Sequence, residues 1–176
     1  MNKWKVDPAK STVGFSVVHM MVSSVTGTFE DFSGEIEGNL ADLSKSFIQF
    51  QVNVGSIQTD NKERDLHLCS KDFFDAQTFP YMTFFSRSIY LDKEGIYRMT
   101  GDLTIKQITK KILFCITSLE TSSSEARYEV EGTIKRKEFG LTWNRAIEAG
   151  GVMVGDTIDI KMTIIVNKSS EDRTVQ

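Results

Sequence analysis

Residues 46–54 read SFIQFQVNV, and apolar and polar side chains alternate strictly from Ile48 to Val54. Its apolar positions are Ile48, Phe50, Val52 and Val54. Polar side chains stand between them, at Gln49, Gln51 and Asn53. Because successive side chains of a β-strand point to opposite faces of the sheet, this period of two predicts a strand with one buried and one solvated face.

The same alternation recurs along most of the chain, which gives roughly eight strands joined by short turns. Besides residues 46–54, the segments are 4–6, 12–20, 25–38, 82–91, 96–105, 111–119, 127–135 and 157–166. Parallel strands need crossover helices, and the chain has nowhere to put them. We therefore predict an all-β fold, an antiparallel barrel or sandwich; closure would remove exposed strand edges, which favours one eight-stranded barrel with a short helical insertion around residues 60–75. The barrel is expected over residues 1–167, followed by a polar, disordered tail at 168–176.

One stretch breaks the alternation: residues 59–80, TDNKERDLHLCSKDFFDAQTFP. Asp60 and Glu63 have the spacing of a capping box, which predicts a helix start. Leu66, Cys69 and Phe73 then recur at helical spacing, so an apolar stripe is expected on one face. The segment is either a plug at one end of the barrel or a lid over a cavity.

Polar side chains in this stretch are the candidates for chemistry or for contact with a polar head group, above all Arg64 and His67. Asp65 follows Arg64 directly, and helical neighbours do not face each other, so each is expected to pair with a strand end. No metal-binding histidine spacing, nucleophile elbow or phosphate-binding glycine loop occurs, so no catalytic residue, metal site or cofactor is predicted.

Composition narrows the function further. The chain has 176 residues, 40% hydrophobic and 26% charged, with a net charge of −3. No basic patch for nucleic acid stands out. An absent signal sequence and an absent long apolar run predict a cytoplasmic protein with no stable membrane insertion; a periplasmic location is the alternative if a signal peptide was removed. Cys69 and Cys115 are expected as free thiols, with a single disulfide between them as the alternative.

A barrel of about eight strands is either filled by side chains or wide enough for one small ligand. Gly34, Gly101 and Gly132 are among the glycines inside strand patterns, which indicate either bends or close approach by another group. The inward-facing set is almost wholly apolar, so a cavity would select a long apolar molecule. The candidate ligand-binding residues are Phe15, Val17, His19, Phe32, Ile36, Ile48, Phe50, Val52, Phe84, Tyr97, Met99, Leu103, Phe114, Tyr128, Val130, Ile160 and Met162. His19 is interpreted as a core histidine or, in a hollow barrel, as a head-group contact; Phe73 joins Arg64 and His67 in the possible lid.

Short fragments in one order resemble a known pattern over residues 4 to about 166. They are DPAKS at 7–11, FSVVH at 15–19, GTF at 27–29, FSG at 32–34, SIQT at 56–59, RDLHL at 64–68, DFFD at 72–75, FP at 79–80, Phe84, GDLTIK at 101–106, FG at 139–140 and VGD at 154–156. Together they resemble the YceI-like family. The resemblance implies a lipocalin-like antiparallel barrel with a long internal tunnel. It also implies a lipid ligand, a polyisoprenoid, an isoprenoid quinone or a fatty amphiphile, and often a homodimer.

Two positions depart from the family pattern. Gln107 stands where the family commonly has glycine, so a different hairpin geometry is expected there. Lys137 and Glu138 replace a more usual Ser-Asp pair after Arg136, which affects the rim of the tunnel.

Three functions follow as hypotheses. The first is a carrier or sequestering protein for an isoprenoid-like lipid, with no enzymatic activity. The second is a hydrolase that acts on an amphiphile through a histidine–carboxylate pair at the cavity mouth. The third is a structural or interaction module with a filled core.

Overall fold

The strands of the computed structural model form one continuous antiparallel sheet, described over residues 2–145 and 153–169. The strands are β1 (Lys3–Val6), β2 (Thr12–His19), β3 (Ser23–Phe29), β4 (Phe32–Asn39), β5 (Asp42–Asn53), β6 (Ile57–Gln58), β7 (Tyr81–Leu91), β8 (Tyr97–Ile105), β9 (Ile108–Thr121), β10 (Glu125–Lys135) and β11 (Val154–Lys168). One helix, α1 (Lys62–Cys69), and two 3₁₀ turns, Val54–Ser56 and Arg136–Phe139, complete the described elements.

Eight strands close the barrel in the order β1-β4-β5-β7-β8-β9-β10-β11, with β1 paired back to β11. The other three strands lengthen this barrel at one end: β2 pairs with the first half of β11, β3 with β2, and β6 with β3. The predicted eight-stranded antiparallel barrel is therefore confirmed. The barrel is long because the chain turns away after one strand and then pairs again with the same neighbouring strand: β1 and β2 both pair with β11.

The break between β1 and β2 shows how such an interruption is stabilised. The amide of Asp7 donates to the carbonyl of Ile165 at 2.8 Å, and the amide of Ile165 donates to Ser11 Oγ at 2.9 Å. The Ser11 side chain thus replaces a main-chain partner where the chain bulges away from β11. The two main-chain amides of Asp7 and Ile165 thus stay paired across the break.

The barrel has two distinct ends. At the helix end, β5, β8 and β10 finish, β11 begins and α1 follows β6. At the far end, β10 begins and β11 finishes, and side chains such as Trp4, Leu43, Ala126 and Val166 are almost completely buried there. Trp4, Ala126 and Val166 therefore close this end with packed side chains, whereas Leu43 borders the open space inside the barrel.

The helix differs in detail from the prediction. It covers residues 62–69, and Asn61, not Asp60, caps it: Asn61 Oδ1 accepts from the amide of Arg64 at 3.0 Å. Asp60 has a φ of +60°, which is incompatible with the extended backbone of a cap residue, so the predicted Asp60–Glu63 capping box is wrong. Leu66 is 74% exposed, so its predicted place on the apolar face is wrong; Leu68 packs against the core, together with the predicted Cys69 and Phe73.

The chain end also differs from the prediction. β11 continues through Lys168, which pairs with Trp4, and the amide of Ser169 donates to the carbonyl of Lys3 at 2.9 Å. These two residues of the expected tail are part of the barrel. Residues 170–176 lie outside the described part of the chain. In the described part, no helix is long and apolar enough to cross a membrane.

Candidate functional site

A cavity of about 220 Å³ runs inside the barrel, and only apolar surface faces it. Fourteen of the seventeen residues expected from the alternation line it: Phe15, Val17, Ile36, Ile48, Phe50, Val52, Phe84, Met99, Leu103, Phe114, Tyr128, Val130, Ile160 and Met162. The barrel is therefore hollow over part of its length, in contrast to the hypothesis of a filled core.

Three of the expected residues lie outside the cavity wall. Phe32 and Tyr97 are inward-facing and buried but do not border the open space. Phe32 stacks behind Phe50 with ring centroids 5.8 Å apart. His19 is the last residue of β2, pairs with Val154 and Ser23, and does not line the cavity. The structure therefore gives His19 no contact with the cavity.

Glycine–phenylalanine pairs create the space. A Cβ on Gly27 would lie 2.4 Å from the ring of Phe15, and one on Gly132 would lie 2.5 Å from the ring of Phe114. Gly34 with Phe50 and Gly101 with Phe84 repeat the arrangement at 2.5 and 2.4 Å. Each ring lies over the glycine of an adjacent strand, close to the barrel wall. The glycines thus mark close approach by a side chain, which was one of the two expected meanings.

Aromatic rings cover the cavity at the helix end. Phe73, in the turn that follows α1, is 6% exposed and lines the cavity. Its ring contacts Trp143, from the connection after β10, with centroids 5.3 Å apart. His67 packs edge-on against Phe73 at 5.1 Å and against Trp143 at 4.7 Å. The predicted lid residues His67 and Phe73 therefore belong to one cluster, which two separate chain segments build.

Arg64 and Asp65 anchor α1 to the barrel through one residue, Thr59. Arg64 Nε donates to Thr59 Oγ1 at 2.8 Å, and its Nη2 donates to the Thr59 carbonyl at 2.6 Å. Asp65 Oδ1 accepts from the amide and from the hydroxyl of Thr59. Thr59 directly follows β6, so both side chains bind a strand end, as predicted. Arg64 does not line the cavity.

Arg136 is a buried cation at the same end of the barrel, and it is only 3% exposed. Its guanidinium donates to four main-chain carbonyls, those of Leu141, Trp143, Val154 and Gly155, at 2.6 to 3.2 Å. Burial lowers the pKa of Arg136, and nearby Asp156 acts in the opposite direction. The residue ties the Trp143 segment to the start of β11, so it holds half of the cover in place.

Sequence reasoning missed part of the wall. Leu68, Phe74 and Leu141 line the cavity from outside the strands, and Arg136 and Trp143 organise the cover. None of them belongs to a period-two pattern, so the alternation could not find them. The only sequence signal was position, since all of them lie in or beside the two segments that interrupt the alternation.

The helix end carries one histidine–carboxylate pair, His67 Nε2 and Asp72 Oδ2 at 2.8 Å. Both side chains are more than a third exposed. The nearby Ser70 hydroxyl donates to the main-chain carbonyl of His67 at 2.6 Å, and not to its ring. The three residues therefore do not form a nucleophile–base–acid relay. No cluster of metal-binding side chains occurs among the residues that the structure describes.

Comparison with known proteins gives the family. The YceI-like domain matches residues 4–166, almost the whole chain. The chain belongs to the YceI-like family. A UPF0312 protein of Staphylococcus aureus is 36% identical to this YceI-like chain over 164 residues, 90% of the chain and 93% of that protein. A UPF0312 protein of Staphylococcus epidermidis is 34% identical over the same shares.

Solved structures give the same fold. The crystal structure of Burkholderia cenocepacia BcnA superposes on the YceI-like chain with a TM-score of 0.81 and 27% identity, covering 91% of this chain and 98% of BcnA. The YceI protein of Campylobacter jejuni follows with 0.76 and 26%, covering 87% and 90%. A polyisoprenoid-binding domain from Saccharophagus degradans, 13% identical with a TM-score of 0.75 over 96% and 100%, shares the fold.

Proposed function

We propose that the protein binds one long apolar chain, an isoprenoid lipid, inside the barrel and carries or sequesters it away from water. The observation that carries this proposal is the cavity with a purely apolar surface, bordered by phenylalanine rings that glycines hold against the wall. Family membership supports it, as does the shared fold of the Saccharophagus degradans domain, which is described as polyisoprenoid-binding.

The energetics set a minimum size for the apolar ligand. Burying one methylene group contributes about 0.8 kcal/mol, so each five-carbon isoprene unit contributes about 4 kcal/mol. Association costs roughly 4–15 kcal/mol, so about three units are needed before binding becomes favourable. A cavity of about 220 Å³ lies below the roughly 300–1,000 Å³ of common ligand pockets. We therefore expect the cover to move outward when a longer chain is bound.

Organic extraction of the purified protein, followed by mass spectrometry, tests the proposal directly. Extracted protein is then mixed with geranylgeraniol, separated from free lipid and extracted again. We expect about one lipid per barrel. If neither the original extract nor the reloaded protein contains lipid, the carrier function is wrong.

A variant that fills the cavity sharpens the test. Met99→Trp adds bulk to a residue that is 5% exposed and lines the cavity, and it should reduce lipid uptake. Leu113→Trp is the matched control, because Leu113 is 44% exposed and lies outside the cavity wall. If both variants lose lipid equally, the ligand does not occupy the barrel. Retained folding in both is checked by far-UV circular dichroism.

We also propose a homodimer, which stays a prediction. One apolar feature of the outer surface fits it: Phe47 and Phe85, on neighbouring strands, stack with centroids 6.5 Å apart while each remains more than 40% exposed. Sedimentation equilibrium at several concentrations measures the association. Phe85→Ser should weaken it without changing the cavity.

A further inference from the structure

Tyr128 places an unpartnered hydroxyl in the wall of a cavity whose facing surface is apolar. It lies on β10, four residues from the far end of that strand, opposite Ser118 and Ile164. The residue is 2% exposed and belongs to the cavity wall. Its hydroxyl oxygen is one of two buried side-chain polar atoms without a hydrogen-bond partner in the described part of the chain. The other, Trp4 Nε1, belongs to a residue outside the wall.

An unpartnered buried hydroxyl is unusual, since the large majority of buried polar side-chain atoms have a partner. A phenylalanine would fill the same volume without the cost of stripping a hydroxyl of its water. The position therefore carries a polar group that the ligand-free protein does not use.

The hydroxyl stays uncharged under ordinary conditions. Burial, with a smaller contribution from Tyr97, raises the pKa of Tyr128 to about 12. The two charged residues of the wall have other partners: Arg136 binds main-chain carbonyls, and Glu35 Oε2 accepts from Gln49 Nε2 at 3.0 Å. Nothing in the described wall offers a free charge to compensate an ionised head group at this depth, where burial of a charge is costly.

We propose that the Tyr128 hydroxyl is the polar subsite of the cavity and that it hydrogen-bonds an uncharged oxygen, the hydroxyl or carbonyl of a neutral prenyl lipid that enters polar end first. This inference rests on the proposed function. The chain of the ligand then extends from Tyr128 toward the cover of Phe73 and Trp143. Because the Tyr128 oxygen is fully enclosed in the ligand-free protein, the ligand oxygen displaces the apolar side chains that now surround it.

Tyr128→Phe tests the subsite with two probes, geranylgeraniol and the hydrocarbon with the same carbon skeleton and no hydroxyl. Dissociation constants are measured by tryptophan fluorescence. We expect the substitution to weaken geranylgeraniol binding about tenfold, the worth of one net hydrogen bond, and to change hydrocarbon binding less than twofold. Geranylgeranyl diphosphate should bind worse than geranylgeraniol to the unaltered protein.

Tyr97→Phe is the matched control. Tyr97 is also buried, at 8% exposure, and lies on β8 toward the same end, but it does not line the cavity. This variant should bind both probes as the unaltered protein does. The melting temperature of ligand-free Tyr128→Phe should equal or exceed that of the unaltered protein, because the variant loses only an unpartnered hydroxyl.

The possible failures are distinguishable. If the unaltered protein binds neither probe, the proposed carrier function fails and the subsite fails with it. If it binds both probes and Tyr128→Phe lowers both affinities equally or neither, the carrier function stands and the subsite is wrong. A loss of melting temperature in Tyr128→Phe would show that the hydroxyl has a structural partner, and would also overturn the subsite.

Discussion

Gly132→Ala should destabilise the protein mainly through a collision with the ring of Phe114; the next nearest contact of the added Cβ is the Leu113 main-chain oxygen, at 3.3 Å. The two residues are direct partners across β9 and β10. A Cβ on Gly132 would lie 2.5 Å from Cδ1 and 2.7 Å from Cε1 of that ring. Carbon atoms in good contact lie about 3.5–4.0 Å apart, so the ring must move by about 1 Å, and the cavity lies on its open side.

The expected loss is about 1–2 kcal/mol in the free energy of unfolding. Overpacking a core costs roughly 1–3 kcal/mol. Replacing glycine with alanine inside an unstrained strand gains roughly 0.5–1 kcal/mol, because the unfolded chain loses freedom. The backbone φ of Gly132 is outside the left-handed region, so no conformational strain adds to the collision. The cost of the collision exceeds the gain from the stiffer unfolded chain, so the substitution lowers the free energy of unfolding.

A double-mutant cycle with Phe114→Val isolates this collision. Valine ends at Cγ and lacks both colliding atoms; alone it should cost about 2–4 kcal/mol as a large-to-small core substitution. In the Phe114→Val background, Gly132→Ala should become neutral or stabilising, which gives a coupling energy of about 1–3 kcal/mol. Urea unfolding followed by circular dichroism measures all four proteins. Additive effects would refute the claim that the glycine exists to accommodate the ring.

Three further predictions follow from single residues. Gln107→Gly should raise the urea midpoint and add about 1 kcal/mol to the free energy of unfolding, because Gln107 has a φ of +95° in the two-residue β8–β9 turn. Gln107→Val should lower the urea midpoint. Arg136→Met should cost about 3 kcal/mol or more in the free energy of unfolding by urea, since four buried or half-buried carbonyls lose their donor; Arg136→Lys, without the planar guanidinium, should lose most of the same stability. Burial raises the pKa of Tyr128 to about 12, against about 10 when unfolded, so the unfolded chain ionises first as the pH rises and the fold loses stability between pH 10 and 12. The unaltered protein should therefore lose up to about 2–3 kcal/mol relative to Tyr128→Phe on denaturant titration over that range.

The alternation predicted the antiparallel strands, because a period of two identifies the inward face of most long strands; residues 111–119, apolar on both faces, are the exception, and there Leu113 is 44% exposed. The alternation could not predict depth along the axis. Phe32 and Tyr97 share the inward parity of Phe50 and Met99, yet they are packed away from the open space. Odd or even position in a strand determines which face of the sheet a side chain is on. Whether an inward-facing side chain lines the cavity depends on its position along the barrel axis.

The cap residue and the apolar face of the helix were harder to predict from the sequence. Asp60 and Asn61 are both good cap residues, and the sequence alone did not distinguish them. The φ of Asp60 does, because it leaves Asn61 as the extended residue before the first turn. A helix of eight residues has only about two turns, so its apolar positions are too few to define one face from the sequence. For this reason Leu66 was predicted on the apolar face, whereas Leu68 makes the contact.

The hairpin after β8 was expected to change geometry because Gln107 replaces a common glycine. The structure retains a two-residue connection, Lys106 and Gln107, with positive φ at both positions. Mirror-image turns of this kind match the right-handed twist of the strands, and a longer or different turn would shift the β8–β9 register. The register therefore imposes the backbone conformation, and Gln107 tolerates it at a cost in stability.

The hollow interior follows from pairs of residues and not from single ones. Phe15, Phe50, Phe84 and Phe114 are large enough to fill a barrel of this size if their rings point at the axis. Each ring instead lies over a glycine on the neighbouring strand, so it contributes apolar surface to the wall and little volume to the centre. Replacing the glycines with any larger residue would push the rings inward and close the space. The aromatic residues and the glycines therefore act together, and it is their pairing across strands that leaves room for a ligand.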